Sequence, residues 1–211
     1  MINLARFYKR FERTKELMIA AGFTNIQRFE GIDGFLTSDD VFHQLNIYTG
    51  RPGEKGCAAS HLLVWKDFLE NSDRDYLFIA EDDMLPHLSF RKIFPKYWAK
   101  TPDDFDLILV GNEMSCDKRR PLVVSEPSFC THAYIISKKG AKKLLDSYQK
   151  IEKNETNMHV IDIFLINLMS KRVEYCKEPL RFYCYNGAYF PDRRKNIWPS
   201  RNSGICFQSR T

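Results

Sequence analysis

Residues 76–84 read Tyr-Leu-Phe-Ile-Ala-Glu-Asp-Asp-Met, an apolar run that ends in three consecutive carboxylates, Glu81, Asp82 and Asp83. The first five residues have the composition of a buried strand, whereas three adjacent charges resist burial unless something positive lies among them. A divalent cation meets that need, because hard cations take oxygen ligands, commonly one or two carboxylates together with substrate phosphates. The stretch therefore predicts a strand carrying an acidic site at its end and a phosphorylated substrate beside it. Its plain alternative is an acidic turn.

Strands and helices alternate on both sides of this stretch. Upstream, Ile2–Leu4 reads as a short strand, Lys9–Ala21 as a helix with Phe11, Leu17, Met18 and Ala21 on one face, and Asn25–Phe29 as a second strand. Gly22 ends that helix, and Gly31-Ile-Asp-Gly34 forms a turn. Lys55–Glu70 is a helix with a broad apolar stripe of Ala58, Ala59, Leu62, Leu63, Trp65 and Leu69. Downstream, the pattern predicts helices at Phe90–Lys100, Lys138–Ser147 and Val160–Ser170, strands at Asp106–Val110 and His132–Ser137, and an extended Arg172–Cys176. Such alternation argues for an α/β domain whose central sheet is mostly parallel, flanked by helices, with ligands at the carboxyl ends of the strands. Thr37–Gly53, Asn112–Phe129 and Tyr185–Thr211 are the least regular segments and are expected to form loops over the site.

The chain has 211 residues, 44% hydrophobic and 14% aromatic, which suits one domain with a core and a cleft. Its formal charge of +5 comes from 32 basic residues dispersed among 27 acidic ones, a balance that fits an anionic small molecule no less than nucleic acid. No helix-turn-helix, zinc-finger or aromatic RNA-binding signature is present, so nucleic acid is not the expected partner. The six cysteines show no CxxC spacing, and none is read as lying near enough to a histidine for a zinc module; free thiols in a reducing compartment are expected. No signal sequence is evident, and the apolar run Val160–Met169 is too short to span a bilayer. A soluble, cytoplasmic protein is the expectation.

Several separated segments share one family pattern, in order: Ile2-Asn-Leu4 with Arg6 and Arg10, Glu30-Gly-Ile-Asp-Gly34, Gly53-Glu-Lys-Gly-Cys-Ala-Ala-Ser-His61, Ala80-Glu-Asp-Asp83, Thr131-His-Ala-Tyr-Ile-Ile-Ser137 with Gly140-Ala141, and Val160-Ile-Asp162. Over residues 2 to about 170 the chain resembles a GT-A (Rossmann-like) glycosyltransferase of family 25, the lipopolysaccharide and collagen galactosyltransferase group. It also resembles the N-terminal glycosyltransferase domain of a large multidomain chlorovirus protein, for which the host cytoplasm would be the location. The resemblance implies one domain over 1–211, with a nucleotide-binding part at about 1–112 and an acceptor or closing part at about 113–211.

That resemblance further implies a metal-dependent, inverting transfer of a sugar from a UDP-sugar to a hydroxyl of a glycan or glycoprotein acceptor, with Mn²⁺ or Mg²⁺ as cofactor. Asp83 matches the usual metal ligand, Glu81 the carboxylate that approaches the ribose or a metal-bound water, and Asp82 either role. Asn3, Leu4, Arg6, Arg10 and Asp33 would hold the nucleoside and diphosphate, and Lys55, Ser60 and His61 would contact the donor from a helix start, where free N–H groups favour anions. The plain readings are solvated arginines, a turn aspartate at Asp33 and a core-edge histidine at His61. Cys57 reads as small helix packing. His132 is a second candidate contact.

Asp162 is a lone carboxylate in an apolar helix, costly there unless it faces a cleft or a partner, and it is the candidate base that deprotonates the acceptor. Its plain reading is a helix residue paired with a nearby Lys or Arg. The basic tail residues Arg193, Arg194, Lys195 and Arg201 would close over the diphosphate or simply keep a surface segment solvated. The competing functions are a nucleotidyltransferase and a catalytically silent nucleotide-sugar-binding domain. The nucleotidyltransferase should have a glycine-rich loop after its first strand, where this chain reads Ala5-Arg-Phe-Tyr-Lys-Arg10.

Overall fold

The computed structural model describes residues 1–86, 89–110, 122–125, 127, 131–171, 175 and 179–185. In chain order the elements are β1 (Ile2–Asn3), a 3-10 turn (Ala5–Phe7), α1 (Tyr8–Ala20), β2 (Phe29–Glu30), α2 (Asp39–Gln44), α3 (Pro52–Asn71) and β3 (Tyr76–Ala80). Then come α4 (Phe90–Trp98), β4 (Leu107–Leu109), β5 (Leu122–Val124), β6 (Ala133–Ser137), α5 (Lys138–Tyr148), α6 (Ile161–Met169) and β7 (Phe182–Tyr185). The predicted helices match these elements closely, whereas the strand expected at Asn25–Phe29 is replaced by a two-residue pairing, Phe29–Glu30, with β1 and shares only Phe29 with it.

The main sheet has five strands in the order β3-β6-β4-β7-β5. It is mixed, not mostly parallel as the alternation predicted: β6 runs antiparallel to both β3 and β4, β5 is antiparallel to β7, and only β4 and β7 pair in parallel. Direction follows connection. The strands β3, β4 and β7 each come after a helix and share one direction, as crossover connections require. The strands β5 and β6 follow β4 with no intervening helix among the described residues, and they run the other way. A second sheet, β1 paired parallel with β2, joins the first through a bridge between Ile2 and Glu81.

Side-chain alternation divides the core between the two faces of the sheet. Leu107, Leu109, Tyr134 and Ile136 pack with Trp65, Phe68, Leu144 and Phe164 of α3, α5 and α6. Ile108, Ala133 and Ile135 pack instead with Met18 of α1 and with Phe90 and Tyr97 of α4. The result is helix, sheet, helix in three layers.

Local sequence explains the element boundaries nearest the site. Gly22 adopts φ +100°, a left-handed conformation that stops α1 and lets the N–H of Phe23 reach back to Met18 O at 3.0 Å. Helix α3 starts with Pro52 at its first turn, while the Glu54 carboxylate accepts the Arg51 N–H at 2.7 Å. Helix α2 lies in a segment expected to be irregular. Ser38 precedes it, Asp39 and Asp40 sit at its positive end, and Phe42 anchors it in the core.

Candidate functional site

The acidic run at the end of β3 divides into two buried carboxylates and one that is partly exposed. Glu81 and Asp82 are buried and Asp83 is partly exposed. Asp82 is the centre of a polar knot: Asn3 Nδ2 donates to its Oδ2 at 2.7 Å, the Arg10 guanidinium pairs with Oδ1, and Thr14 Oγ1 donates to its backbone oxygen at 2.6 Å. Arg28 Nε in turn donates to Asn3 Oδ1 at 2.8 Å. Burial raises the pKa of the Asp82 carboxyl, and Arg10 and Asn3 pull back against it. Asn3, Arg10 and Asp82, expected at the nucleotide, therefore tie β1 and α1 to the end of β3. Leu4 is buried in the core beside them.

A close glycine contact holds the turn at residues 31–34 on the start of α3. A side-chain carbon on Gly34 would come within 1.6 Å of Pro52 O, and one on Gly56 within 2.5 Å of Ile32 O. Ser60 adds a buried hydroxyl that accepts the Ile32 N–H at 2.8 Å and donates to Gly56 O at 2.6 Å. This docking presents Asp33, whose carboxylate accepts the Phe35 N–H at 3.1 Å and pairs with Arg6. The Arg6 side chain is 37% exposed and Asp33 15%. The Arg6 guanidinium lies over the rings of Phe7 and Phe35, at 4.9 and 5.8 Å. Lys55 pairs with Asp39 of α2 at 2.7 Å. Of the expected donor contacts, Arg6, Asp33, Lys55 and Asp83 reach the surface, while Ser60 and His61 face inward.

His61 belongs to a buried chain of polar groups that runs from α3 to the end of β3. Its Nδ1 lies 2.7 Å from the Tyr134 hydroxyl, which also accepts from Trp65 Nε1 at 2.8 Å. Its Nε2 lies 3.6 Å from Glu81 Oε1, and that oxygen accepts the Thr131 hydroxyl at 3.0 Å. Burial alone would keep the ring neutral, yet Tyr134, Cys57 and Glu81 hold its pKa well above the ordinary histidine range. Burial would likewise raise Glu81, but His61, His132 and Thr131 hold its carboxyl below the usual value.

The expectation that no cysteine lies near a histidine fails here. Cys57 and His61 are four residues apart on α3, so one turn of helix brings them to the same face, and ligand atoms of Cys57, His61 and Glu81 lie within 4.8 Å of one another. The spacing was legible in the sequence. Trp65 and Thr14 gave no local signal as site residues, and Thr131 and Tyr134 stood in a family-pattern segment with no role of their own, because the partners of all four lie 50 to 73 residues away in the chain.

Asp162 occupies the first turn of α6 and is 3% exposed. It stands on a helix that packs in the same core cluster as α3, not on the acidic turn. Of the cysteines expected as free thiols, Cys57 and Cys184 are buried and outside any disulfide. The loops proposed at Asn112–Phe129 and Tyr185–Thr211, the extended Arg172–Cys176, and the basic residues Arg193, Arg194, Lys195 and Arg201 lie wholly or mostly outside the described residues. Among the described residues, no helix is long and apolar enough to cross a membrane.

A hard cation would find one ligand here in Asp83, the carboxylate of the run that is partly exposed, and would need further oxygen ligands from elsewhere. Glu81 and Asp82 fit it less well, since both are buried and out of reach of a phosphorylated substrate in solvent.

The fold is a mixed α/β domain, consistent with a glycosyltransferase domain. Residues 1–124 match glycosyltransferase family 25 (LPS biosynthesis protein), and the chain belongs to that family. It is 31% identical to procollagen galactosyltransferase 1 of Danio rerio over 216 residues, covering 92% of this chain and 33% of that protein. A glycosyltransferase 25 family member of Aedes aegypti is 30% identical over 171 residues, covering 69% and 27% of the two chains. Procollagen galactosyltransferase 2 of Homo sapiens is 29% identical over 168 residues, covering 69% and 26%. The chain thus spans about a third or less of the length of these relatives.

Proposed function

We propose that this chain is a GT-A glycosyltransferase domain that transfers a sugar, with inversion, from a UDP-sugar to a hydroxyl of a glycan or glycoprotein acceptor, using Mn²⁺ or Mg²⁺. The observation that carries the reading is the placement of Asp83. It follows directly on two buried, hydrogen-bonded carboxylates at the end of β3, where β1 adjoins β3 through the Ile2 and Glu81 bridge. A carboxylate so placed has a rigid base under it and is itself partly exposed. Family membership supports the same chemistry.

Each residue then has a defined task. Asp83 would hold the cation, which when bound supplies positive charge to the departing diphosphate. Arg6, half in solvent and flanked by two aromatic rings, would bring a further positive charge to the phosphates. Asp33 would exchange its Arg6 pairing for hydrogen bonds from the uracil or ribose, held in place by the glycine contact and Ser60. Asp162 would take the proton from the acceptor hydroxyl.

A melting-temperature screen tests the donor, because a ligand that binds only the folded state stabilises it by mass action. UDP-galactose is the first donor to try, since galactosyl transfer is in the names of two of the relatives. With Mn²⁺ present, UDP should stabilise the protein more than GDP or ADP at equal concentration. Equal shifts for all three would remove the uridine assignment. Release of UDP from a stabilising donor supports an enzyme, and stabilisation without turnover supports a silent binder.

A further inference from the structure

We infer that Cys57, His61 and Glu81 form a second metal site, for a borderline-soft divalent ion of the zinc class, buried between α3 and the end of β3. One thiol, one imidazole and one carboxylate present ligand atoms that all lie within 4.8 Å of one another, and all three residues are buried. Sulfur and nitrogen donors in that mixture suit Zn²⁺ and disfavour Mg²⁺ or Mn²⁺, which prefer oxygen throughout. This site is therefore chemically distinct from the one assigned to Asp83, and it does not depend on the proposed sugar transfer.

Two independent observations point to an ion there. His61 Nε2 is fully buried, has no hydrogen-bond partner, and faces Glu81 at 3.6 Å. Leaving such an atom unpaired in a core is costly, and a metal would satisfy it. The other ring nitrogen is held as a metal-bound histidine requires. Such histidines nearly always donate their second ring N–H to a fixed acceptor, which sets the tautomer and the ring plane. Here Nδ1 lies 2.7 Å from the Tyr134 oxygen, which can accept its N–H in the tautomer that frees Nε2 for a metal and which is itself fixed by the Trp65 N–H. Binding would take up Cys57 as its thiolate and His61 as the neutral imidazole, with release of the thiol proton and of the imidazolium proton from Nε2. The ion would cross-link α3 to the residue two places before Asp83. Three protein ligands leave a fourth position for water or another oxygen.

The test uses the whole chain, freed of metal by a chelator and titrated with Co²⁺, which reports a thiolate ligand by an intense near-ultraviolet charge-transfer band. We expect about one Co²⁺ per chain with that band, displaced by Zn²⁺ and not by Mg²⁺. Cys57→Ser should abolish the band, Tyr134→Phe should weaken cobalt affinity about 10- to 100-fold, and Asp83→Ala should leave the band unchanged. Absence of a band in the wild type, or a band that survives in Cys57→Ser, overturns the site. Should Cys57→Ser fail to fold, a variant with Cys116, Cys130, Cys176 and Cys206 changed to Ser decides. Retention of the band supports the site and its loss overturns it.

Discussion

Asn3 donates a hydrogen bond of 2.7 Å to Asp82, 79 residues further along the chain, and the Arg10 guanidinium occupies the other oxygen of the same carboxylate. This contact fastens the opening strand to the acidic turn. It also separates the carboxylates of the run, since Asp82 is turned inward and buried whereas Asp83, the next residue, is partly exposed.

Arg10→Ala should destabilise the fold by about 3 kcal/mol at pH 7, because it leaves the Asp82 carboxylate buried without its cation. Burial already raises the Asp82 pKa, with Arg10 as the main opposing influence, so the variant's value rises further. An acid whose folded pKa is raised contributes full stability below its unfolded value of about 3.9 and loses it as pH rises through the folded value. The deficit should therefore shrink when urea unfolding is repeated at about pH 5. An equal loss at both pH values would show that Asp82 is not a buried charge.

Gly56→Ala places a methyl group 2.5 Å from Ile32 O and 2.8 Å from Gly34 N. Backbone on both sides leaves no flexible atom to yield, so the turn at residues 31–34 must lift from α3, at about 1–3 kcal/mol. Asp33 moves with it. Preference for UDP over ADP should fall together with the melting temperature, and a variant with normal selectivity would detach the turn from nucleotide recognition.

His159 is buried against the rings of Tyr48 and Tyr148, and burial lowers its pKa despite backbone contacts at Asn46 and Glu152. A histidine whose folded pKa is depressed contributes stability above its unfolded value, about 6.5, and loses it as pH falls through the folded value. Melting temperature should drop on acidification below about pH 6.5, and His159→Asn should flatten that limb. Parallel curves for the two proteins would rule the residue out as its cause.

Asp162→Asn retains shape and hydrogen bonding and cannot accept a proton. Donor affinity should persist while sugar transfer falls about 10²-fold or more. Donor binding and turnover lost together would make Asp162 a structural residue of α6.

Much of this was legible in the sequence, and the limits have physical causes. Helices α1, α3, α5 and α6 followed from apolar periodicity, and β3 from its apolar run, because these signals are local. The direction of β6 was not, since pairing between β3 and β4 depends on the return path of the chain and not on strand composition. The acidic run was visible as a candidate site, but nothing local distinguishes Asp82 from Asp83; only Asn3 and Arg10, far away in sequence, do. The Cys57 and His61 spacing was readable on α3, whereas Glu81 joins them solely through the fold.

The central claim is that Asp83 holds a divalent cation that recruits the nucleotide, and isothermal titration of UDP into wild type and Asp83→Ala, with and without Mn²⁺, tests it most directly. Wild type should bind UDP more tightly with Mn²⁺, and the variant should lose that dependence while melting normally. Unchanged Mn²⁺-dependent affinity in Asp83→Ala would contradict the account.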